Sequence, residues 1–521
     1  MPAIRLTGYD TKEYGQILQK PEETLGEALR RAGYPVELPC GGRGTCGKCR
    51  CQVVEGSTEL SEEEKKLLTK EELERGERLL CRCVFLTDGV VRLPELSGTI
   101  ASASLMDRLT KTGQEPSAQA GRDYEVAVDI GTTTIAMALR ECESGQVTEA
   151  ITKNNSQRSY GADVLSRIAA AKEGHQKELQ TLVWQDVLAG LDTLMAGKSG
   201  NVRRMAVAAN TTMQHIFAGD SCEGLGKAPF TPVSLALRRY ACAELYPEIP
   251  QAYAGLEVIL LPGISAFIGA DIVSGMYACE MAQSSKPVLL LDIGTNGEMV
   301  LGDENGFLAT AAAAGPALEG AGISCGTAGV EGAVNSVSLL GNRMVMHTIG
   351  EKQPVGLCGT GVLELAYELV KQGIVDETGT FQENYRENGY PVAVTADGKQ
   401  LVFTQEDMRQ LQMAKAAIRS GIELLLTEKG LSPEEVSTVY LAGGLGYKLN
   451  AYKAAGIGLL PVKLRDKAVA VGNSSLSGAL KYLEQSEDEK LKWIVDRTRE
   501  MNLAVHPGFE SLYYRNMNFG Q

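Results

Sequence analysis

Two sets of side chains in this 521-residue sequence have the types and spacings of reactive groups. The first is Cys40, Cys46, Cys49 and Cys81, separated by five, two and 31 residues, with Gly-Gly-Arg-Gly-Thr filling the first interval. Thiolates are soft metal ligands, and four of them complete either two tetrahedral irons or one tetrahedral zinc. The second set is a pair of matching stretches, VAVDIGTTTIAMAL at 126–139 and PVLLLDIGTNGEMVLG at 287–302. In each, an apolar run ends in Asp-Ile-Gly-Thr and resumes as a second apolar run, the pattern of two strands joined by a tight turn. Gly131 and Gly294 let the backbone approach an anion, while Thr132, Thr133, Thr134, Thr295 and Asn296 offer donors and Gly297 closes the second turn. Asp129 and Asp292 are placed to hold a hydrated Mg²⁺ opposite phosphates. Two copies point to a duplicated domain whose halves clasp one ligand.

A third stretch, VYLAGGLG at 439–446, is an apolar strand running into a glycine turn. Gly443, Gly444 and Leu445 there suit close approach to a flat base or a ribose. Together the three stretches resemble the phosphate-1, phosphate-2 and adenosine motifs of the actin, sugar kinase and Hsp70 ATPase superfamily, in the right chain order. The cysteine spacing closely resembles that of the [2Fe–2S] ferredoxins, the five-residue gap matching their adrenodoxin-like branch. Gly41, Gly42, Gly44 and Gly47 would let the loop turn its N–H groups towards bound sulfide. A zinc site built from Cys46, Cys49, Cys81 and Cys83 is the rival reading, but it leaves the glycine loop and Cys40 without a role. Cys51 and Cys83 are read as small buried thiols near the cluster.

The elements that position these groups follow from patterning. Residues 1–96 read as an α+β unit: IRLTGY a strand, TLGEALRRAG a helix, RCQVVEG a strand, a helix started by a capping box at Ser61 and Glu64, and LLCRCVFL a returning strand. Residues 97–122, rich in Ser, Ala, Gly and Thr, read as a linker. The duplicated domain then occupies 123–286 and 287–505, with a tail at 506–521. In its first half, Asn210 reads as a helix N-cap and His215 as a core-adjacent residue rather than site residues. The second half supplies Glu319, a third candidate catalytic carboxylate, in AAAAGPALEGAGISCG. Cys325 and Cys358 read as structural. The stretch TQEDMRQLQMAKAAIRSGIELLL reads as one long helix whose apolar stripe is interrupted by Lys415, which either reaches water along its stem or meets a nucleotide from the inner face. The expected fold is thus an α+β ferredoxin-like β-grasp domain followed by a duplicated α/β actin-like (ASKHA) ATPase domain.

Composition sets bounds. A net charge of −14 argues against unaided binding to nucleic acid or anionic membranes. No apolar run approaches a membrane span and the N-terminus lacks signal-peptide character, so the expected location is the cytoplasm. Twelve cysteines in such a compartment are ligands or buried thiols rather than disulfides, and six of them fall between Cys40 and Cys83.

Ferredoxin-like cysteines followed by this ATPase core resemble one family, the reductive activators of corrinoid proteins. The resemblance rests on PCGGRGTCGKC, VDIGTTTIAMAL, YGADVLSRI, ANTTMQHIFAG, LLDIGTNGEMVL, AAAAGPALEG, GLCGTG and LAGGLG. It implies one [2Fe–2S] cluster, ATP and Mg²⁺ as cofactors, a corrinoid protein as electron acceptor and a low-potential electron donor. A homodimer is left open. The implied activity is the return of inactive cobalt(II) to cobalt(I). With a cluster near −400 mV and an acceptor some 100–200 mV lower, the electron must climb about 2–5 kcal/mol, which ATP can supply. The best-known members carry an additional middle domain, and the first phosphate strand at Tyr124 leaves no room for one here, so its absence is expected. Two other classes stay open: an activator of another low-potential enzyme such as a 2-hydroxyacyl-CoA dehydratase, and a small-molecule kinase with a redox-sensing appendage.

Overall fold

The computed structural model describes residues 1–8, 13–34, 36–94, 122–341, 343–396, 398–446 and 448–519. The expected linker lies outside them apart from its last residue. The chain divides into two compact units, Met1–Leu261 and Pro262–Gln521.

The first unit begins with a five-stranded sheet in the order Glu13–Leu18, Ala3–Gly8, Gly89–Leu93, Arg50–Glu55, Glu77–Leu79. Only the central pair, Ala3–Gly8 with Gly89–Leu93, is parallel, as a β-grasp sheet requires. Helix Leu25–Arg31 starts at a capping box of Thr24 and Glu27 and buries Leu25 and Leu29. The expected box of Ser61 and Glu64 is present, and the buried Glu64 also accepts a hydrogen bond from the Leu79 N–H at 2.9 Å. One expectation fails locally. LLCRCVFL is not a continuous strand: Arg82 and Cys83 both donate their N–H to the Leu79 carbonyl, at 2.8 Å, and fold the chain into a turn that carries Cys81. The short strand Val84–Phe85 follows.

The rest of the first unit is a six-stranded sheet. Val147–Asn154, Thr134–Glu141 and Tyr124–Ile130 run antiparallel, then Val202–Ala209 and Glu257–Leu260 run parallel to Tyr124–Ile130, and Arg238–Ala241 adds an antiparallel edge. The second unit repeats the plan. Gly306–Ala312, Gly297–Asp303 and Val288–Ile293 are antiparallel, and Thr438–Ala442 and Ala468–Gly472 lie parallel beyond them. Here the extra edge strand, Thr498–Glu500, sits beside Gly306–Ala312 instead. The duplication read from two short motifs is therefore a duplication of topology, five strands in the same order and sense.

The packing boundary falls before the expected junction at 286 and 287. Helix Ala270–Ala278 packs on helix Ser474–Gln485, with Ser274 Oγ donating to the Ser475 carbonyl at 2.8 Å, so 262–286 belongs with the second unit. The long helix is Gln405–Lys429, opened by a box of Thr404 and Asp407 and stopped by Gly430 in the left-handed region. Its buried stripe, Met408, Leu411, Ile418, Ile422 and Leu425, covers the second sheet. The tail at 506–521 contains a helix, Phe509–Asn516. Among the described residues no helix is long and apolar enough to cross a membrane.

Candidate cluster and nucleotide sites

The four predicted ligand cysteines lie in the β-grasp sheet's loops. Glycines 41, 42, 44 and 47 all have positive φ, from +64° to +79°, which coils Cys40–Cys49 tightly. Gly44 shows why glycine is needed: a Cβ there would lie 2.6 Å from the Arg82 guanidinium. That guanidinium donates to the carbonyls of Gly42, Arg43 and Cys81, at 2.9, 2.6 and 2.8 Å, and so ties the loop to the turn bearing the fourth cysteine. The thiols gather two by two. Cys49 Sγ lies 3.3 Å from Cys81 Sγ, and Cys40 is hydrogen-bonded to Cys46. In each pair one member is the better thiolate. Burial opposes the Cys40 thiolate, yet hydrogen bonds from Thr45 and Cys46 outweigh it and bring Cys40 down to about 6, while burial pushes Cys46 up. The hydrogen bond from Cys81 brings Cys49 down to about 7 and drives Cys81 up.

Two thiol pairs fit two irons, each completing its tetrahedron with two sulfides. The zinc set fits poorly, because Cys83 is hydrogen-bonded to Cys51 in a separate, fully buried pair. Among the described residues, no three His, Cys, Asp or Glu gather closely enough for a single metal ion.

The hairpin of the first unit pairs Ile130 with Ile135 and Asp129 with Ala136, and Gly131 N–H closes the turn on the Thr134 carbonyl at 2.9 Å. Residues behind the turn hold its carbonyls. Asn155 Nδ2 donates to Gly131 O at 2.8 Å, Asn155 N–H to Thr133 O at 2.9 Å, and the fully buried Arg167 guanidinium to Thr132 O. Burial draws Arg167 down to about 9. Asn210 does cap helix Thr211–Ala218, through Oδ1 to Met213 N–H at 3.0 Å, but its Nδ2 also reaches the Thr132 hydroxyl at 3.1 Å. His215 is buried between the Thr211 carbonyl and the Val233 N–H, at 2.7 and 2.9 Å, a structural role as expected.

The hairpin of the second unit is one residue shorter, pairing Ile293 with Gly297 and Asp292 with Glu298. Gly294 N–H closes on the Asn296 carbonyl at 2.9 Å, and the Thr295 hydroxyl donates to Glu319 at 2.6 Å. This brings Glu319, from the segment Pro316–Glu319, against the second turn. Gly443 has φ +81°, and a Cβ on it would lie 2.5 Å from Asp292 Oδ1, so the glycine turn after Thr438–Ala442 closes on that carboxylate. Gly444 faces open space, whereas Leu445 turns into the core. Gly297 also faces the core, packed on Ile418. Burial, then the nearby Asp271 and Asp292, holds the Glu298 carboxyl well above the usual range. Lys415 does not join this group. Its fully buried ammonium donates to the carbonyls of Asn516 and Asn518, both at 2.6 Å, and lies 4.9 Å from the Phe519 ring centroid, clamping the C-terminal segment to the long helix.

Sequence reasoning passed over Arg82, Asn155, Arg167 and Glu298. Arg82 was signalled by its place between Cys81 and Cys83, and Arg167 by its place in YGADVLSRI.

Three family descriptions match in series: a 2Fe-2S iron-sulfur cluster binding domain over 12–85, the RACo middle region over 124–284, and the C-terminal domain of RACo, the ASKHA domain, over 286–521. The corrinoid activation enzyme RamQ of Eubacterium limosum is 30% identical over 425 residues, spanning 76% of this chain and 70% of its own. The chain belongs to the reductive activators of corrinoid proteins. A Co(II) methylated amine-specific corrinoid protein reductase of Methanosarcina barkeri is 25% identical over 436 residues, 76% of this chain and 77% of that one. Among solved structures, a reductive activator for corrinoid, iron-sulfur protein superposes with a TM-score of 0.70 at 26% identity, covering 100% of this chain and 98% of that one. The expected loss of a middle domain is therefore wrong for this activator. The middle region is present as residues 124–284, the very stretch read as the first ATPase half, because its Asp-Ile-Gly-Thr hairpin repeats that of the second unit.

Proposed function

We propose that this activator returns an inactive cobalt(II) corrinoid protein to cobalt(I), one electron at a time, at the expense of ATP. The observation that carries the reading is the pairing of four thiols, two and two, in a chain that also contains an ASKHA domain. A [2Fe–2S] cluster bound there supplies one-electron storage at low potential. Cys40 and Cys46 would hold one iron, Cys49 and Cys81 the other. Arg82 fixes the loop that carries three of these ligands and sets a positive charge beside it, which favours the reduced state.

The nucleotide contacts are assigned residue by residue. In the second unit, Asp292 would hold Mg²⁺ through water, Gly294 would let phosphate approach the backbone N–H groups of Thr295 and Asn296, and Gly444 would leave room for the adenosine. Glu319, held by Thr295, is the candidate to orient the attacking water. In the first unit, Asp129 and the Gly131–Thr134 turn offer the same groups to the same ligand class. Leu445, Gly297 and Lys415 are withdrawn from the contacts, since each faces the core. All twelve cysteines are free thiols, in keeping with a reducing cytoplasm and a low-potential donor.

The test follows cobalt(I) by its visible spectrum, using full-length protein, a corrinoid acceptor and a low-potential reductant, with and without MgATP. The expected result is reduction that requires ATP and disappears in Cys46→Ser. Equal reduction without ATP would overturn the proposal.

A further inference from the structure

The cluster loop and the first phosphate-type turn are held by one short stretch of chain. On one side, Leu38 N–H donates to the Arg158 carbonyl at 3.3 Å, and Ala162 N–H donates to the Pro39 carbonyl at 3.1 Å. Pro39 directly precedes the ligand Cys40. Gly41, directly after it, lies so close that a Cβ would sit 3.0 Å from the Tyr160 carbonyl oxygen. An ion pair of Arg158 with Glu37 at 2.7 Å adds to this contact, as does the Arg30 guanidinium, which lies 4.1 Å from the centroid of the Tyr160 ring and donates to the Ser159 carbonyl at 3.3 Å. On the other side, Asn155 holds the carbonyls of Gly131 and Thr133. Two residues separate Asn155 from Arg158.

Arg167 joins both ends. Its guanidinium is fully buried and divides its donors between the turn, at Thr132 O, and the docking stretch, at Gly161 O (3.2 Å) and Gln157 Oε1 (3.1 Å). Its oxygen partners are all neutral, and the carboxylates of Asp163 and Asp186 act on it through space, so an anion arriving at the turn would add a counter-charge where the guanidinium now meets only a carbonyl, and in so dry a setting the attraction is strong. Drawn towards the turn, the guanidinium must give up some of its hold on Gly161 and Gln157.

We propose that Arg167 and residues 155–162 form a relay through which phosphate at Gly131–Thr134 loosens the grip of Arg158–Ala162 on the cluster loop. The inference rests on the reading that this turn takes nucleotide phosphate. It makes Arg167 a positioning residue for electron transfer and gives ATP a physical route to the cluster: the nucleotide prefers the state in which the loop is released. Among the described residues the grip is small, three hydrogen bonds with one ion pair and one ring contact, so a modest preference suffices to shift it.

The experiment measures how fast an iron chelator bleaches the cluster of the full-length protein, with and without a non-hydrolysable MgATP analogue whose binding is followed by calorimetry. The analogue should speed bleaching by about fivefold, the low end of ordinary coupling between sites. Glu37→Arg should bleach fast without nucleotide and respond little to it. Combining it with Arg158→Glu restores the pair with its charges exchanged, and should restore slow bleaching and the response. Arg167→Lys, keeping the charge but not the fork, should bind the analogue and lose the response. Binding without any change in bleaching, or a Glu37→Arg variant as responsive as the parent, would overturn the relay alone. A protein that binds no nucleotide would overturn the proposed function and the relay with it.

Discussion

Asp129 faces Ala136 across its hairpin, whereas Asp292 faces Glu298 across the other. The same strand, turn and strand is thus surrounded by different side chains in its two copies. Behind the first turn stand amides and a buried guanidinium that hold backbone carbonyls, and the guanidinium also holds Gly161 and Gln157, in the stretch that meets the cluster loop. Around the second stand carboxyl groups: Glu298 beside Asp292, and Glu319 on Thr295. A concentration of carboxyl groups is what a divalent cation and an attacking water need, and a frame of amides is what a conformational signal needs. Duplication supplied two similar hairpins, the second one residue shorter, and the residues around them differ in kind, amides and a guanidinium at one and carboxyl groups at the other.

Removing the aspartates gives the largest expected effect and the most direct way to break this contrast. Asp292→Ala should lower ATP hydrolysis roughly 100-fold, as expected for a group that orients metal and water. Asp129→Ala should also impair hydrolysis, but less, because no second carboxyl pairs with it across the strands. Steady-state rates at saturating MgATP check this. Equal losses would mean that both turns do the same chemistry.

The second contrast is in stability. Arg167→Met strands the carbonyls of Thr132 and Gly161 and the Gln157 amide oxygen in a dry interior, at about 3 kcal/mol in all. Thr295→Val removes one hydrogen bond from a half-buried Glu319, so it should leave the melting temperature nearly unchanged while lowering turnover about tenfold. Thermal melts beside turnover numbers separate the two. A stable Arg167→Met protein would show that the frame behind the first turn is dispensable.

How much of this was readable beforehand differs from residue to residue. The iron–sulfur domain was readable because a metal needs fixed residue types at fixed spacings, and the hairpins because an apolar run broken by Asp-Ile-Gly-Thr has few other uses. The turn at Leu80–Arg82 was not: LLCRCVFL has a strand's composition, and the turn closed by Arg82 and Cys83 on the Leu79 carbonyl is held by tertiary links, Gly26 N–H to the Leu80 carbonyl at 2.8 Å and Leu25 N–H to the Cys83 carbonyl at 2.7 Å, that no local pattern shows. Lys415 was half readable, since periodicity gives the face of a helix but not what covers that face, here the carbonyls of the C-terminal segment. The middle region was misread because repetition looks the same whether the copies share a task or divide it.

The glycine turn offers a third and smaller test. Gly443→Ala must place a Cβ at positive φ and against Asp292, so it should cost about 1–2 kcal/mol of stability and disturb hydrolysis. Gly444→Val enters open space, and should melt like the parent while binding nucleotide more weakly. Calorimetry decides. If Gly444→Val bound ATP normally, the adenosine would have to lie elsewhere.

The smallest expected effect concerns Glu298, which has no counterpart opposite Asp129. Its carboxyl is held well above the usual range by burial first and by Asp271 and Asp292 next. The folded protein therefore keeps a proton at Glu298 that the unfolded chain releases once the pH passes the ordinary carboxylate value, near 4.3. Where the native state binds more protons than the unfolded one, stability falls as pH rises. This contribution is full below the unfolded value and is lost progressively above it, up to the raised folded value. Glu298→Gln keeps the shape and hydrogen-bonding capacity of the protonated acid and removes the titration. At pH 5 the variant should melt close to the parent, and at pH 8 it should melt a few degrees higher. Bound MgATP should shrink that difference, since a cation near Asp292 offsets the like charges that keep the proton on Glu298. The matching substitution in the first hairpin, Ala136→Glu, should do the reverse and add a loss of stability above neutrality at the first turn. A Glu298→Gln protein whose melting follows the parent's at every pH would show that this carboxyl is ionised in the fold, and the electrostatic difference between the two hairpins would then disappear.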